Sequence, residues 1–373
     1  MTQPAIPQTD PGAAYRERKD EIDAAVARVL ASGRYILGPE VEAFESAFAA
    51  WSGLGYAVGV ANGTDALELA LRGLDIGPGD VVATVSLTAV ATVAAIELVG
   101  ARAVLVDIDP FYGLDPGGLE AAIRLHKPKA VIPVHLYGQA CAMGPIMELA
   151  GRHGFKVIED CSQAHGASLA GRRVGSFGDV ACYSLYPTKN LGALGDGGVI
   201  ATGDAALATR LKALREYGWR ERYISAETGM NSRLDPIQAA ILRVKLAHLA
   251  TDNARRAAIA AVYDRALNET AIAPPRRRPG AGHVFHQYVL RARDRDGLKA
   301  ALAARGIGTL VHYPQAVHQQ PAYRGRVAVG PAGLGLTDKA MPEILSLPMY
   351  PQLEEAALTR IAAALAELGK EES

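Results

Sequence analysis

Short, almost uninterrupted apolar runs alternate with helical runs through the first two-thirds of the chain, and this alternation leaves few folds open. After helical stretches at 15–30 and 41–51, apolar runs occur at 56–61, 81–85, 103–108, 130–134, 156–159, 180–185 and 198–202. Helical spacing fills most of the gaps, as in Ala66, Leu67, Ala70, Leu71 and Leu74, or over 92–99 and 145–153. A strand apolar at every position is covered on both faces, and intervening helices are what cover it. The pattern predicts an α/β fold with a mainly parallel seven-stranded sheet flanked by helices. A glycine-rich turn separates the last two strands, so they read as a hairpin and the sheet is expected to be mixed. A long helix follows from Asp235 to about Leu267, with a break or kink expected near Thr251. Beyond the loop Pro274-Pro-Arg-Arg-Arg-Pro-Gly280, a strand at 286–292 and helices at 296–305 and 354–368 predict a smaller α+β domain. Two domains suit 373 residues at roughly 100–200 each. The division is expected at 1–245 and 246–373.

Composition narrows the class. With 49% hydrophobic residues the chain can bury a large core. Lys+Arg and Asp+Glu both number 39, so no net charge favours nucleic acid or an anionic membrane. No apolar run approaches the ~18 residues that span a bilayer. The first ten residues lack a basic start and an apolar core, so no signal peptide is expected. Cys141, Cys161 and Cys182 are odd in number and show neither CxxC nor zinc spacing. They read as reduced, mostly buried thiols of a cytoplasmic protein without a metal site.

Three places could carry chemistry. Lys189 lies in Ser184-Leu-Tyr-Pro-Thr-Lys-Asn-Leu-Gly-Ala-Leu-Gly-Asp-Gly-Gly198, at the mouth of the turn between two core strands. It is either a surface hairpin lysine or a desolvated amine, which loses its charge readily and forms Schiff bases with carbonyls. Asn62-Gly-Thr-Asp65 lies between a strand and an amphipathic helix. It is either an ordinary N-cap or an anion cradle built from free N–H groups, a close-approaching glycine and the Thr64 hydroxyl. Asp160 ends a buried strand, the edge where open α/β sheets bind ligands. It either caps the next segment or holds a pyridinium nitrogen protonated, as a pyridoxal phosphate ring requires. Dinucleotide, P-loop, zincin and nucleophile-elbow motifs are all absent.

Together with their neighbours these residues resemble a known family, the DegT-type nucleotide-sugar aminotransferases of pyridoxal phosphate fold type I. The resemblance runs from about Tyr15 to about Leu353. It rests on Gly38-Pro-Glu-Val with Phe44-Glu, Asn62-Gly-Thr-Asp-Ala-Leu and Glu159-Asp-Cys-Ser-Gln-Ala-His-Gly-Ala. Further along it rests on Tyr186-Pro-Thr-Lys-Asn-Leu-Gly, Gly195-Asp-Gly-Gly, Asn231-Ser-Arg-Leu-Asp-Pro-Ile-Gln-Ala-Ala and Gly306-Ile-Gly-Thr-Leu-Val-His-Tyr-Pro314. It implies pyridoxal 5'-phosphate as cofactor and Lys189 as the lysine that links to it and shuttles the proton. Asp160 is implied as the pyridine-nitrogen partner and Gln163 as the contact to the phenolic oxygen. Gly63, Thr64 and Ser184 are implied as the phosphate cradle. Asn231 would reach that phosphate from a second subunit, which implies a homodimer with shared active sites. Many relatives carry a ring-stacking aromatic where this chain has Ala89.

The implied reaction moves an amino group from L-glutamate to a nucleotide-linked ketosugar. The stretch from Tyr186 to Gly198 resembles the branch acting on 3-keto-6-deoxyhexoses, on dTDP or another nucleoside diphosphate. Enzymes acting on 4-keto sugars or cyclitols, or a non-catalytic regulator of the same fold, are the rivals. Tyr186, His312 and Tyr313 are expected near the sugar. Arg220, Arg222 and Tyr223 fall where relatives bring a partner's loop towards the diphosphate. Arg276–Arg278 reads as a solvated loop or a diphosphate attractor.

Overall fold

A computed structural model describes residues 4–371 of the chain. The first three residues of the segment expected not to be a signal peptide lie outside them. The alternation read from the sequence folds as β1 (Tyr56–Val60), α1 (Gly63–Gly73), β2 (Val81–Val85), α2 (Ala91–Leu98), β3 (Arg102–Val106), β4 (Ala130–Ile132), β5 (Lys156–Asp160), β6 (Val180–Ser184) and β7 (Gly198–Thr202). These strands lie in the order β1-β7-β6-β5-β4-β2-β3, and a two-residue edge, Ala328–Val329, adds an eighth strand beside β3. β3, β2, β4, β5 and β6 run parallel. β7 is antiparallel to both β6 and β1, so the expected hairpin is present in a mixed sheet.

Two-sided burial explains the continuous apolar runs. Successive side chains of a strand point to opposite faces. In β2, Val81, Ala83 and Val85 join one core while Val82 joins the other. In β3, Val104 and Val106 face the first core, and Ala103 and Leu105 the second. Each fully buried valine or leucine contributes on the order of 1.5–3 kcal/mol, so neither face tolerates a polar residue without a partner.

The long helix α3 runs unbroken from Pro236 to Ala266 over 31 residues. The kink expected at Thr251 is absent. No proline or glycine follows Pro236 within the helix. The two polar residues that follow Thr251 make tertiary contacts from within the helix, with Asp252 bound to Arg18 and Asn253 to Asn190 and His165. Leu242 and Leu249 pack into the core beneath β6 and β7, while Ile259, Ala260 and Tyr263 pack into the C-terminal core. The expected division at 245 therefore falls inside a helix that serves both cores. The C-terminal core also holds β8 (Tyr288–Arg291), β9 (Ile344–Leu347) and α4 (Glu355–Glu371), with β8 and β9 antiparallel. β9 escapes sequence inspection because it is four residues between Pro342 and Pro348.

All three cysteines are buried and unbridged. Among the described residues no helix is long and apolar enough to cross a membrane.

Candidate active site

β1, β5 and β6 all end at the same edge of the sheet, and the three suspected segments follow directly from them. Asn62 is the extended N-cap of α1, and its side chain accepts from the Asp65 N–H at 2.9 Å. The Gly63 and Thr64 N–H groups have no protein acceptor among the described residues, as expected of a first helical turn. A Cβ on Gly63 would lie 2.6 Å from Ser184 Cβ and 3.0 Å from its Cα. Only glycine lets the start of α1 meet the end of β6. Two donors and two hydroxyls thus converge on a concave spot suited to a phosphate.

Asp160 is buried, with Oδ2 accepting from the Thr92 hydroxyl at 3.0 Å and Oδ1 from the Ser162 N–H at 3.1 Å. Thr92 is tied in turn to Thr88. Burial pushes the Lys189 ammonium down to about 8, with the negative charge of Asp160 pulling the other way. The sequence left open a solvated hairpin lysine. The structure instead places Lys189 on the wall of a cleft of about 560 Å³, which Asp160 also lines.

Gln163 is held from both ends. Its Oε1 accepts from the Tyr137 N–H at 2.7 Å, and its Nε2 donates to the Tyr313 hydroxyl at 3.0 Å. The Tyr137 hydroxyl donates to the His312 carbonyl. His312 Nδ1 pairs with Ser346 at 2.8 Å, and burial pushes its imidazolium down to about 4, so the ring is neutral at physiological pH.

Gly63, Thr64, Asp160, Gln163, Ser184, Tyr186, Lys189, His312 and Tyr313 all line that one cleft. Asn231, Arg222 and Tyr223 do not line it within a single chain. Arg222 and Tyr223 stand at the tip of an exposed hairpin, Trp219–Glu221 with Ile224–Ser225, stacked on each other at 4.9 Å. Asn231 is exposed as well. Of the three arginines in the proline-flanked loop, Arg278 is bound to Asp109 and Arg277 to Asp264, so two of them anchor the loop. Ala89 lines the cleft with no ring at its position, leaving Tyr186 and Tyr313 as its tyrosines. Residues missed by inspection are Thr88, Thr92, Asp196, His286 and Gln287, which join the lining or hold Asp160. The Thr88/Thr92 pair at helical spacing, opening α2 at the ligand edge, was the available clue.

The charged residues of the cleft are Asp65, Asp160, Asp196 and Lys189, and no arginine is among them. A separate buried group, His135, Glu159 and Cys161, has metal-ligand spacing. Its histidine and its carboxylate are already engaged. Glu159 accepts from Gly175, Phe177, Gly178 and His135, while His135 Nδ1 accepts from the Cys141 N–H. This network fastens the strand that ends in Asp160.

Pyridoxal phosphate fits these residues. The free N–H groups at the start of α1, with the Thr64 and Ser184 hydroxyls, suit its phosphate, the Asp160 carboxylate suits a pyridinium, and Lys189 shares the cleft. Residues 16–366 match the DegT/DnrJ/EryC1/StrS aminotransferase family. The chain is 48% identical to a dTDP-3-amino-3,4,6-trideoxy-alpha-D-glucose transaminase of Streptomyces venezuelae, over 98% of this chain and 96% of that one. It is 44% identical to a UDP-N-acetyl-3-dehydro-alpha-D-glucosamine 3-aminotransferase of Acidithiobacillus ferrooxidans, over 97% and 98% respectively. Its fold matches the crystal structure of S. venezuelae DesV in complex with a ketimine intermediate, with a TM-score of 0.95, 47% identity and 99% of each chain covered.

Proposed function

The chain belongs to the DegT/DnrJ/EryC1/StrS aminotransferase family, and on that footing we propose that it moves the amino group of L-glutamate to a nucleotide-linked 3-keto-6-deoxyhexose, giving a 3-amino sugar. The observation that carries the proposal is one cleft holding a desolvated lysine, a buried strand-end carboxylate and a helix-start phosphate cradle. Bound pyridoxal phosphate supplies an electron sink for the carbon that gains or loses a proton.

The chain's own residues do the rest. Gly63, Thr64 and Ser184 hold the phosphate. Asp160, kept in place by Thr92 and Ser162, would keep the ring nitrogen protonated. Gln163 is fixed by the Tyr137 N–H and the Tyr313 hydroxyl, and its amide would be the contact for the phenolic oxygen. Lys189 Nζ has a substantial neutral fraction near physiological pH, so it can accept the proton from the donor carbon and return it to the sugar carbon. Neutral His312, with Tyr186 and Tyr313, borders the sugar without adding charge.

Substrate charge argues for a homodimer with shared sites. A nucleoside diphosphate and a dicarboxylate are both anionic, while a single chain's cleft holds three aspartates, one lysine and no arginine. Arg220, Arg222, Tyr223 and Asn231 are exposed on the same chain and would complete the cleft of a second copy. The 3-keto position is supported by the relatives' activities and by the Tyr186–Gly198 stretch. Of the two nucleotides those relatives use, dTDP goes with the higher identity.

Purified protein should be yellow, and borohydride should fix the cofactor on Lys189 by peptide mass spectrometry. Incubation with glutamate and dTDP- or UDP-linked 3-keto and 4-keto sugars, followed by NMR, should place nitrogen at C3 of the dTDP sugar. Nitrogen at C4 would refute the position, and a Lys189→Ala protein that still transaminates would refute the mechanism.

A further inference from the structure

The two loops that carry the chemistry are joined by one side chain that no motif points to. Asn253 of α3 accepts at Oδ1 from Asn190 Nδ2 at 2.8 Å, and Asn190 is the residue next to Lys189. Its own Nδ2 donates to the His165 carbonyl at 2.8 Å, two residues past Gln163 and five past Asp160. The fit is close, because a Cβ on Gly166 would lie 2.8 Å from Asn253 Nδ2. A single amide therefore spans the lysine loop and the acid loop, using its donor on one and its acceptor on the other.

The rest of α3 continues the contact. Gln238 and Lys245 lie on the same face as Asn253, seven and eight residues apart, or about two turns each at 3.6 residues per turn. Gln238 Oε1 accepts from the Leu194 N–H at 2.8 Å, and Lys245 Nζ donates to the Gly192 carbonyl. Asn190 is further held by the Val284 carbonyl at 3.0 Å and by His286. Leu242 and Leu249, buried on the intervening turns, press the same face against β6 and β7. The lysine loop thus rests along a rod already fixed by apolar packing, and Asn253 is where that rod also grips the acid loop.

We propose that Asn253 is a positioning residue that sets Lys189 relative to Asp160 and Gln163, with α3 as its rigid support. The inference rests on the aminotransferase reading. Reacting groups misplaced by about 1 Å can lose on the order of a hundredfold in rate. An interaction that serves only the fold would not discriminate between these two loops and the remainder of the sheet.

Asn253→Asp is nearly isosteric and keeps an acceptor for Asn190, but it turns an oxygen towards the His165 carbonyl. Asn253→Leu removes both contacts at similar volume. Asn190→Ala cuts the lysine-side contact from the other partner and serves if either Asn253 variant fails to fold. In the apoenzyme, hydrogen–deuterium exchange over 161–168 and 186–195 should quicken by roughly tenfold in the Asn253→Leu protein, with β2–β4 unaffected. In the loaded enzyme kcat should fall by about 10–100-fold while KM for the nucleotide sugar stays within about twofold. Unchanged exchange in both loops, or equal loosening of the whole sheet, would overturn the proposal. So would a fall in kcat that only tracks the folded fraction. A wild-type protein that binds no pyridoxal phosphate defeats the functional reading instead, and the apoenzyme exchange still decides the role of Asn253.

Discussion

Lys189 in the apoenzyme should titrate as an amine with a midpoint of about 8, well below a solvated lysine, because burial outweighs the pull of Asp160. An amine with an ordinary pKa of about 10.4 is neutral at pH 7 in roughly one molecule in 2,500, whereas one with a pKa of 8 is neutral in about one in ten. The cleft therefore raises the reactive fraction roughly 200-fold before any cofactor binds. Trinitrobenzenesulfonate labelling of the apoenzyme across a pH series, with Lys189 followed by peptide mass spectrometry, measures this midpoint. Asp160→Asn removes the charge that favours the ammonium, so the midpoint should move lower still. The gain at pH 7 can be no more than about tenfold, since the amine can at most become fully neutral. Transamination should collapse in the same variant because the ring-nitrogen partner is gone, so amine reactivity and activity should move in opposite directions. A midpoint near 10.4, or an upward move in Asp160→Asn, would refute the desolvation account.

The remaining expectations concern the frame around that amine. Lys189→Met should make the apoenzyme more stable below pH 8 by up to about 3 kcal/mol, since a lysine with a lowered pKa costs stability that returns as pH rises from 8 towards 10.4; denaturant melts at pH 7 and pH 10 test this. Gly63→Ala should raise the cofactor Kd at least about tenfold, as read by equilibrium dialysis, because the new Cβ meets Ser184 at 2.6 Å where overpacking costs roughly 1–3 kcal/mol. Thr92→Val removes a hydroxyl donor from Asp160 at nearly constant volume and should lower kcat/KM by about tenfold, with Thr92→Ser restoring most of it. Burial pushes the Glu159 carboxyl up, but hydrogen bonds from His135, Gly178 and Gly175 more than reverse this and leave it lowered. Its stabilisation is therefore present above about pH 4.3 and lost as pH falls further. Glu159→Gln should cost about 3–5 kcal/mol in thermal or chemical melts.

Features governed by local pattern were legible in the sequence, and long-range polar pairings were not. Lys156–Asp160 and Val180–Ser184 announced themselves as strands because both faces are buried, and their ends then located Asp160 and Lys189. Gly63 was legible as a close approach, although only the fold shows that the neighbour is Ser184. Thr92 on Asp160, Tyr137 on Gln163 and Asn253 on Asn190 join residues 68, 26 and 63 positions apart, and no periodicity reports such pairs. The break expected near Thr251 is absent for a related reason. Charge and amide groups inside a helix resemble an interruption when the partners that satisfy them lie elsewhere in the chain. Arg276 and Arg277 are exposed, as a solvated loop requires, but the hold of Arg278 on Asp109 joins residues 169 positions apart and was not legible.

The unbroken course of α3 through both cores bears on how such enzymes can be recombined. A chimera joined at 245 would divide the helix and give each parent half of a surface that no longer matches its counterpart, with Leu242 on one side and Leu249 with the grip on Asn190 and His165 on the other. A junction after Ala266 leaves the rod with the parent whose lysine loop it supports. Exchanging only the residues C-terminal to that junction transfers His312 and Tyr313, which line the cleft, while the lysine, the acid and their common support stay together from a single parent.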